Sequence, residues 1–261
     1  MPELPEVEAY RQLAERALHR PVAQVRVGDR RFLRGGLSPA RLRWLLVGAQ
    51  LSAARRKGKL LVLDVEGRPH RLGLRFGMTG RLRVDGVDGV ERLAFASQRR
   101  VRRWDRLRLE FRDGGSLVMN DARLLGGVSL DPDESALGPD ALEVTLAQLR
   151  RALSGSSAPL KARLLDQSKL AGVGNLVGDE VLYRASLAPT RPAGSLSAAE
   201  QRRLHHHLRG TLTELMAAGG SHLGRLMPER QLGGRCLRCG AELRRSTIGG
   251  RTSWWCPAHQ R

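Results

Sequence analysis

The 261-residue sequence predicts an α+β protein in three parts, and three patterns carry that reading. From Val22 to about Leu130, short stretches of apolar and polar alternation such as Leu107-Arg-Leu-Glu-Phe111 predict antiparallel strands. From Thr145 to Gly220 the signals are helical, with capping residues ahead of apolar runs. Near the C-terminus, Cys236-Leu-Arg-Cys239 and Cys256-Pro-Ala-His259 flank a sixteen-residue interval, the spacing of a tetrahedral zinc site closed around a hairpin. The expected organisation is an N-terminal helix plus antiparallel β-sandwich over 1–130, a helical domain over 131–225 and a zinc-ribbon hairpin over 226–261.

Pro5 is placed for a first helical turn, with Glu6 and Glu8 near the positive end of the helix dipole. Val7, Tyr10, Ala14, Ala17 and Leu18 share one face, which predicts a helix from about Pro5 to Leu18. Asp113-Gly-Gly115 reads as the hairpin turn before Ser116-Leu-Val-Met119, within two packed antiparallel sheets. Asp131-Pro-Asp-Glu-Ser135 and Gly138-Pro-Asp140 read as a linker. Beyond it, Thr145 to Gln148 has the spacing of a capping box, Pro159 opens a helix carrying Lys161 to Asp166, and Asn175 begins another that runs to about Ala185. Ser197-Ala-Ala-Glu200 is a second capping box, opening a long helix that stops at Gly219-Gly220. Ala171-Gly-Val-Gly-Asn175 is a tight glycine turn whose backbone N–H groups and helix N-terminus suit a phosphate. His205-His206-His207 is not expected to bind metal, because consecutive helical residues point in different directions.

In the C-terminal part, Gly249-Gly250 can supply the positive dihedrals of a tight turn and hold Arg251 at its tip, a surface suited to an anion. Composition points to the same partner. With 45 Lys+Arg against 26 Asp+Glu, the formal charge of +19 fits a protein that displaces counterions from a polyphosphate. No apolar run approaches the length of a membrane span, and the start Met1-Pro-Glu-Leu-Pro-Glu6 is unlike a secretory signal. Cysteines used only in a zinc pattern imply a reducing cytoplasm. Only four basic residues are lysine (Lys57, Lys59, Lys161, Lys169), so a surviving lysine hints that a compact ammonium is wanted. Two of them share the run Arg55-Arg-Lys-Gly-Lys59.

Removal of Met1 ahead of the small Pro2 would expose a prolyl α-amine. A generic α-amine titrates at about 7.7–8.0, so roughly a tenth is neutral at about pH 7, against less than about a thousandth of an ordinary lysine. Such an amine can attack an aldehyde-level carbon such as C1′ of a deoxyribose, and a secondary amine then gives an iminium ion that stays charged without protonation. That ion acidifies the C2′ protons and promotes elimination. Glu3 is suitably placed to protonate the opening sugar ring or relay protons. The same residues also suit an ordinary helix start.

The chain resembles the formamidopyrimidine-DNA glycosylase and endonuclease VIII family of bifunctional base-excision enzymes. The likeness is carried, in order, by Met1-Pro-Glu-Leu-Pro-Glu-Val-Glu8, Arg55-Arg-Lys-Gly-Lys59, Phe76-Gly-Met-Thr-Gly80, Asp121-Ala-Arg123, Leu164 to Asn175 and the terminal zinc hairpin. The resemblance implies that Pro2 is the Schiff-base nucleophile and Glu3 the proton donor. It implies that Lys59 contacts phosphate and assists β-elimination, and that Arg251 holds phosphate and assists δ-elimination. Arg75, Lys161 and Asn175 would contact DNA, Asn175 from a helix-two-turn-helix. Met78, Arg123 and Leu125 would fill the gap left by a flipped nucleotide. Cys236, Cys239, Cys256 and His259 fall on the ligand positions of one structural Zn2+.

Several residues depart from the family pattern. Arg75 stands where a histidine commonly precedes the Leu-Gly-Met motif, and Arg103-Trp104-Asp105 where a lysine-histidine-aspartate run is frequent. Leu125 replaces a wedge phenylalanine, and His259 a fourth cysteine. Only fifteen residues separate Gly220 from Cys236, where members specialised for 8-oxoguanine carry a longer loop.

The expected function is therefore that of a base-excision repair DNA glycosylase with abasic-site lyase activity, which acts as a monomer on double-stranded DNA. Its expected substrates are abasic sites, formamidopyrimidines or oxidised pyrimidines more than 8-oxoguanine. Its expected place is the cytoplasm, on the nucleoid in a bacterium. Three alternatives stand beside it: an 8-oxoguanine/formamidopyrimidine glycosylase, a non-catalytic damaged-DNA-binding protein on the same scaffold, and an RNA-binding zinc-ribbon protein. The last explains charge and finger but not the opening motif.

Overall fold

A reciprocal pair of glutamates starts the first helix, α1 (Leu4–Ala14), of the computed structural model, which describes residues 2–94 and 96–261. The Glu3 N–H donates to the Glu6 carboxylate at 2.8 Å while the Glu3 side chain accepts from the Glu6 N–H, a capping box with Pro5 in the first turn. The helix tightens into a 3-10 turn over Glu15–Ala17, so the expected span to Leu18 ends slightly early. The chain divides into two compact units, Met1–Glu134 and Ser135–Arg261. Met1 itself lies outside the described residues.

In the first unit the predicted alternation becomes two antiparallel sheets. One carries β1 (Val22–Val27), β7 (Asp105–Phe111), β8 (Ser116–Asn120), β5 (Arg81–Val84) and β6 (Val87–Asp88) in that order. The other carries β2 (Leu51–Lys57), β3 (Leu60–Val65), β4 (Arg71–Arg75) and β9 (Gly127–Leu130). Leu107, Leu109, Leu117 and Met119 from the first sheet, Leu61, Leu63, Leu72 and Leu74 from the second, and Val7, Tyr10 and Ala14 from α1 form one buried core. A second helix, α2 (Pro39–Leu46), lies where only strands were expected. Its signal was present: Ser38 accepts from Arg41 N–H as N-cap and Pro39 opens the first turn.

The second unit holds α3 (Leu146–Leu153), α4 (Leu160–Leu165), α5 (Asn175–Arg184), α6 (Ala198–Ala218) and the hairpin β10 (Arg244–Ile248) with β11 (Arg251–Trp255). Both expected capping boxes are formed, Thr145 with Gln148 and Ser197 with Glu200. Gly219 stops α6 in the left-handed conformation at φ 103°. The hairpin's own core is small: Leu226, Cys236, Leu243, Trp254 and Cys256 packed on Tyr183 of α5. No helix among the described residues is long and apolar enough to cross a membrane.

Candidate active site and metal centre

α1 sets Pro2 at the wall of a cavity. Pro2 and Glu3 are buried at its start, where the capping box fixes the direction in which the chain leaves the helix. The β2–β3 turn reaches the same place. Arg56, almost fully buried, donates from Nε to the Glu8 carboxylate of α1 at 2.9 Å and from Nη1 to Gly58 O at 3.1 Å, so one guanidinium joins the helix to the turn that carries Lys59. The two neighbouring lysines are thereby separated in role: Lys57 donates to Glu134 O at 2.7 Å, and Lys59 faces a cavity.

That cavity, about 210 Å³ and open to solvent, is lined by Pro2, Lys59, Arg75, Phe76, Gly77 and Leu125. Four of the residues singled out from the sequence thus meet in one place, and a cationic side chain enters from each of two strand ends. Tyr10 supports the floor: its ring lies 4.5 Å from that of Phe76, and its hydroxyl donates to Gly80 O at 3.2 Å.

Met78, Arg123 and Leu125 form a group at the rim. Arg123 Nη1 lies 3.6 Å from the Met78 sulfur, and Leu125 and Arg123 are exposed. Gly77, at φ 56°, backs directly onto Leu125, since a Cβ there would come within 2.4 Å of the Leu125 carbonyl carbon.

In the second unit Asn175 is the first residue of α5, after a turn in which Gly172 takes φ 113°. Gln167, not anticipated from the sequence, closes that turn: its amide accepts from Gly172 N and donates to Val173 O and Leu165 O. The Asn175 side-chain oxygen is buried and finds no partner among the described residues. Arg251 sits exposed beside the two-residue loop Gly249-Gly250, whose dihedrals of 56° and 71° give the turn type that matches strand twist.

Lys161 corrects an expectation. It was expected to contact DNA, but its side chain is wholly buried, with Nζ 2.7 Å from Asp179 Oδ1 and 3.0 Å from Thr252 O. An ammonium so enclosed has no route to a phosphate. Asp179 is the hub of this cluster, because it also accepts from Arg230, from Ser253 Oγ at 3.1 Å and from Trp254 N at 3.2 Å. Apart from an acidic residue inside a helix, the sequence carried no signal for it.

Cys236, Cys239, Cys256 and His259 place their ligand atoms within 4.8 Å of one another. Cys236 Sγ lies 3.1 Å from His259 Nδ1, and Cys239 Sγ 3.5 Å from Cys256 Sγ. Burial lowers the His259 pKa and so favours the neutral imidazole, while Nε2 faces Tyr183 O at 3.5 Å and leaves Nδ1 toward the thiols. The donor set and its spacing fit a tetrahedral metal ion with no open position.

Residues 1–128 match the formamidopyrimidine-DNA glycosylase N-terminal domain, and residues 136–225 the formamidopyrimidine-DNA glycosylase H2TH domain. The chain belongs to the formamidopyrimidine-DNA glycosylase family. It is 37% identical to the formamidopyrimidine-DNA glycosylase of Cereibacter sphaeroides, with 100% of both chains covered over 288 aligned positions, more than the 261 of this chain. Among solved structures, the Lactococcus lactis Fpg on DNA containing an abasic site superposes with a TM-score of 0.83 at 26% identity, covering 100% of both chains. The wild-type L. lactis protein on DNA with an oxidized pyrimidine gives the same TM-score at 27% identity, again over 100% of both chains. In this family member the interval after Gly220 is tied to α5 in its first half, while Leu232 in its second half is 84% exposed. Two 3-10 turns, Ser221–Leu223 and Met227–Glu229, are tied by Leu226 N to Glu180 at 2.8 Å and by Arg235 N to Glu229 at 2.7 Å.

Proposed function

We propose that this protein is a base-excision repair DNA glycosylase with abasic-site lyase activity, working through the Pro2 amine. The observation that carries this is the cavity shared by Pro2 and Lys59. The amine would attack C1′ of a damaged nucleotide; the N–C1′ bond forms, the glycosidic bond breaks, and the base leaves with a proton. Glu3, buried beside it, would protonate the opening sugar ring. The resulting iminium ion makes a C2′ proton acidic, so its loss expels the 3′ phosphate. Expulsion of the 5′ phosphate follows in δ-elimination.

Lys59 and Arg75 supply positive charge where the phosphates would lie, and Arg251 is assigned to hold phosphate during δ-elimination. Met78, Arg123 and Leu125 would occupy the gap left by the flipped nucleotide, and Asn175 would hold the backbone at the start of α5. Cys236, Cys239, Cys256 and His259 would hold one zinc ion, which supplies folding energy to the hairpin and no Lewis-acid chemistry.

The substrates are abasic sites, formamidopyrimidines and oxidised pyrimidines in double-stranded DNA in preference to 8-oxoguanine. The support is the connector over 221–235, which is short, tied to Glu180 of α5 and closed on itself through Glu229, leaving little chain for a cap over a flipped purine.

Borohydride trapping on abasic DNA tests the central assignment. The covalent adduct should map to Pro2 and vanish when the N-terminus is extended by an uncleavable residue. Trapping that survives the extension, or an adduct on a lysine, would overturn it. Glu3→Gln should slow base release more than cleavage of a preformed abasic site; equal losses would reject the role given to Glu3.

A further inference from the structure

The loop 121–126, which carries Arg123 and Leu125, has its backbone groups gripped by its own first side chain, Asp121, and by Thr79, Arg106 and Arg34 from outside it. Asp121 is fully buried, and its carboxylate accepts from the Thr79 hydroxyl, from Arg123 N at 3.2 Å and from Gly126 N at 2.8 Å. Arg123 N–H also reaches Thr79 Oγ1 at 3.3 Å. The carbonyls are taken by two arginines. Arg106, itself buried, donates to Asp121 O at 2.7 Å and Ala122 O at 3.4 Å, and Arg34 donates to Gly126 O at 2.8 Å and Leu124 O at 3.3 Å. Within this cage Leu124 is held at φ 54°, a left-handed conformation that L residues avoid unless their surroundings impose it. Arg123 and Leu125 are left with their side chains exposed.

A loop fixed in this way presents its side chains without the ordering entropy that a flexible loop would lose on entering a duplex. We propose that Asp121, with Thr79 and Arg106, is a positioning residue for nucleotide extrusion. It holds the 121–126 backbone in the inserting conformation before DNA arrives. This rests on the reading of Arg123 and Leu125 as the inserted residues. A carboxylate is required because two oxygens must serve three donors. In Asp121→Asn the NH2 group faces either Gly126 N–H or Arg123 N–H, whichever way the amide turns.

The experiment compares single-turnover excision of one oxidised pyrimidine in a duplex and in a single strand, using the full-length protein. Only the duplex leaves an orphaned base and a gap to fill. Asp121→Asn and Thr79→Val are expected to slow duplex excision about tenfold or more while single-strand excision stays within about twofold, and Thr79→Ser, which keeps the hydroxyl, should restore the duplex rate. Equal slowing on both substrates, or none on either, would overturn the proposal. Should Asp121→Asn fail to fold, the Thr79→Val and Thr79→Ser pair reads the same ratio. Arg123→Ala separates the two levels: without duplex-selective loss in that variant, the insertion reading fails. With it, and without loss in the Asp121 and Thr79 variants, the positioning role alone fails.

Discussion

Lys161 and Asp179 form a buried ion pair, Nζ to Oδ1 2.7 Å, that joins α4 to α5 and through Thr252, Ser253 and Trp254 to β11 of the hairpin. Removing Asp179 leaves the buried Lys161 and Arg230 without their shared carboxylate, at a cost of about 3–5 kcal/mol, whereas removing Lys161 leaves Asp179 paired with Arg230 and costs less. Lys161→Met and Asp179→Ala should both lower the denaturation midpoint, Asp179→Ala more, because Arg230 and Trp254 N lose their acceptor as well. In a folded Lys161→Met protein the salt dependence of DNA binding should keep its slope. A slope shallower by about one would mean that Lys161 neutralises a phosphate after all.

Metal analysis should give one zinc per chain, and its removal should unfold the hairpin, since the few apolar residues on Tyr183 are too small a core to hold it alone. DNA binding is expected to fall with the metal. Chelated protein that binds and nicks DNA at the full rate would exclude the structural role.

Neutralising Arg251 tests the tip separately from the metal. Its side chain is exposed and takes no part in the ligand set, so Arg251→Ala should keep its zinc. Binding should weaken with a salt slope smaller by about one, and the δ-elimination product should fall relative to the β product. Loss of zinc in this variant would instead make Arg251 part of the fold.

Substrate choice can be read from single-turnover rates on matched duplexes. Discrimination against normal guanine requires fitted polar contacts around 8-oxoguanine, whereas a lesion with weakened stacking is cheaper to extrude. Oxidised pyrimidines and formamidopyrimidines should therefore be removed faster than 8-oxoguanine opposite cytosine. The reverse order would show that the connector over 221–235 does not limit the pocket.

Local signals made much of the fold legible in the sequence. Both capping boxes, the stop at Gly219, the Gly249-Gly250 turn and the Cys3His set depend on residues near one another in the chain, and each is formed. The Ser38-Pro39 start of α2 is equally local.

What the sequence by itself determined was which side chains are present: Pro2 with Glu3 beside it, scarce lysines and a Cys3His set. Only the tertiary structure decided which of these groups meet. Lys57 and Lys59 are two positions apart, yet a backbone carbonyl at Glu134 takes one and the Pro2 cavity the other. Lys161 was expected to contact DNA, whereas the fold encloses it between Asp179 and Thr252. Asp121 stood in a family motif without a role and Arg106 gave no signal, because their importance lies in hydrogen bonds to backbone groups of a loop, and a sequence does not show where backbone groups point. Burial and partner geometry arise from contacts between residues far apart in the chain, so they are fixed only when the chain folds.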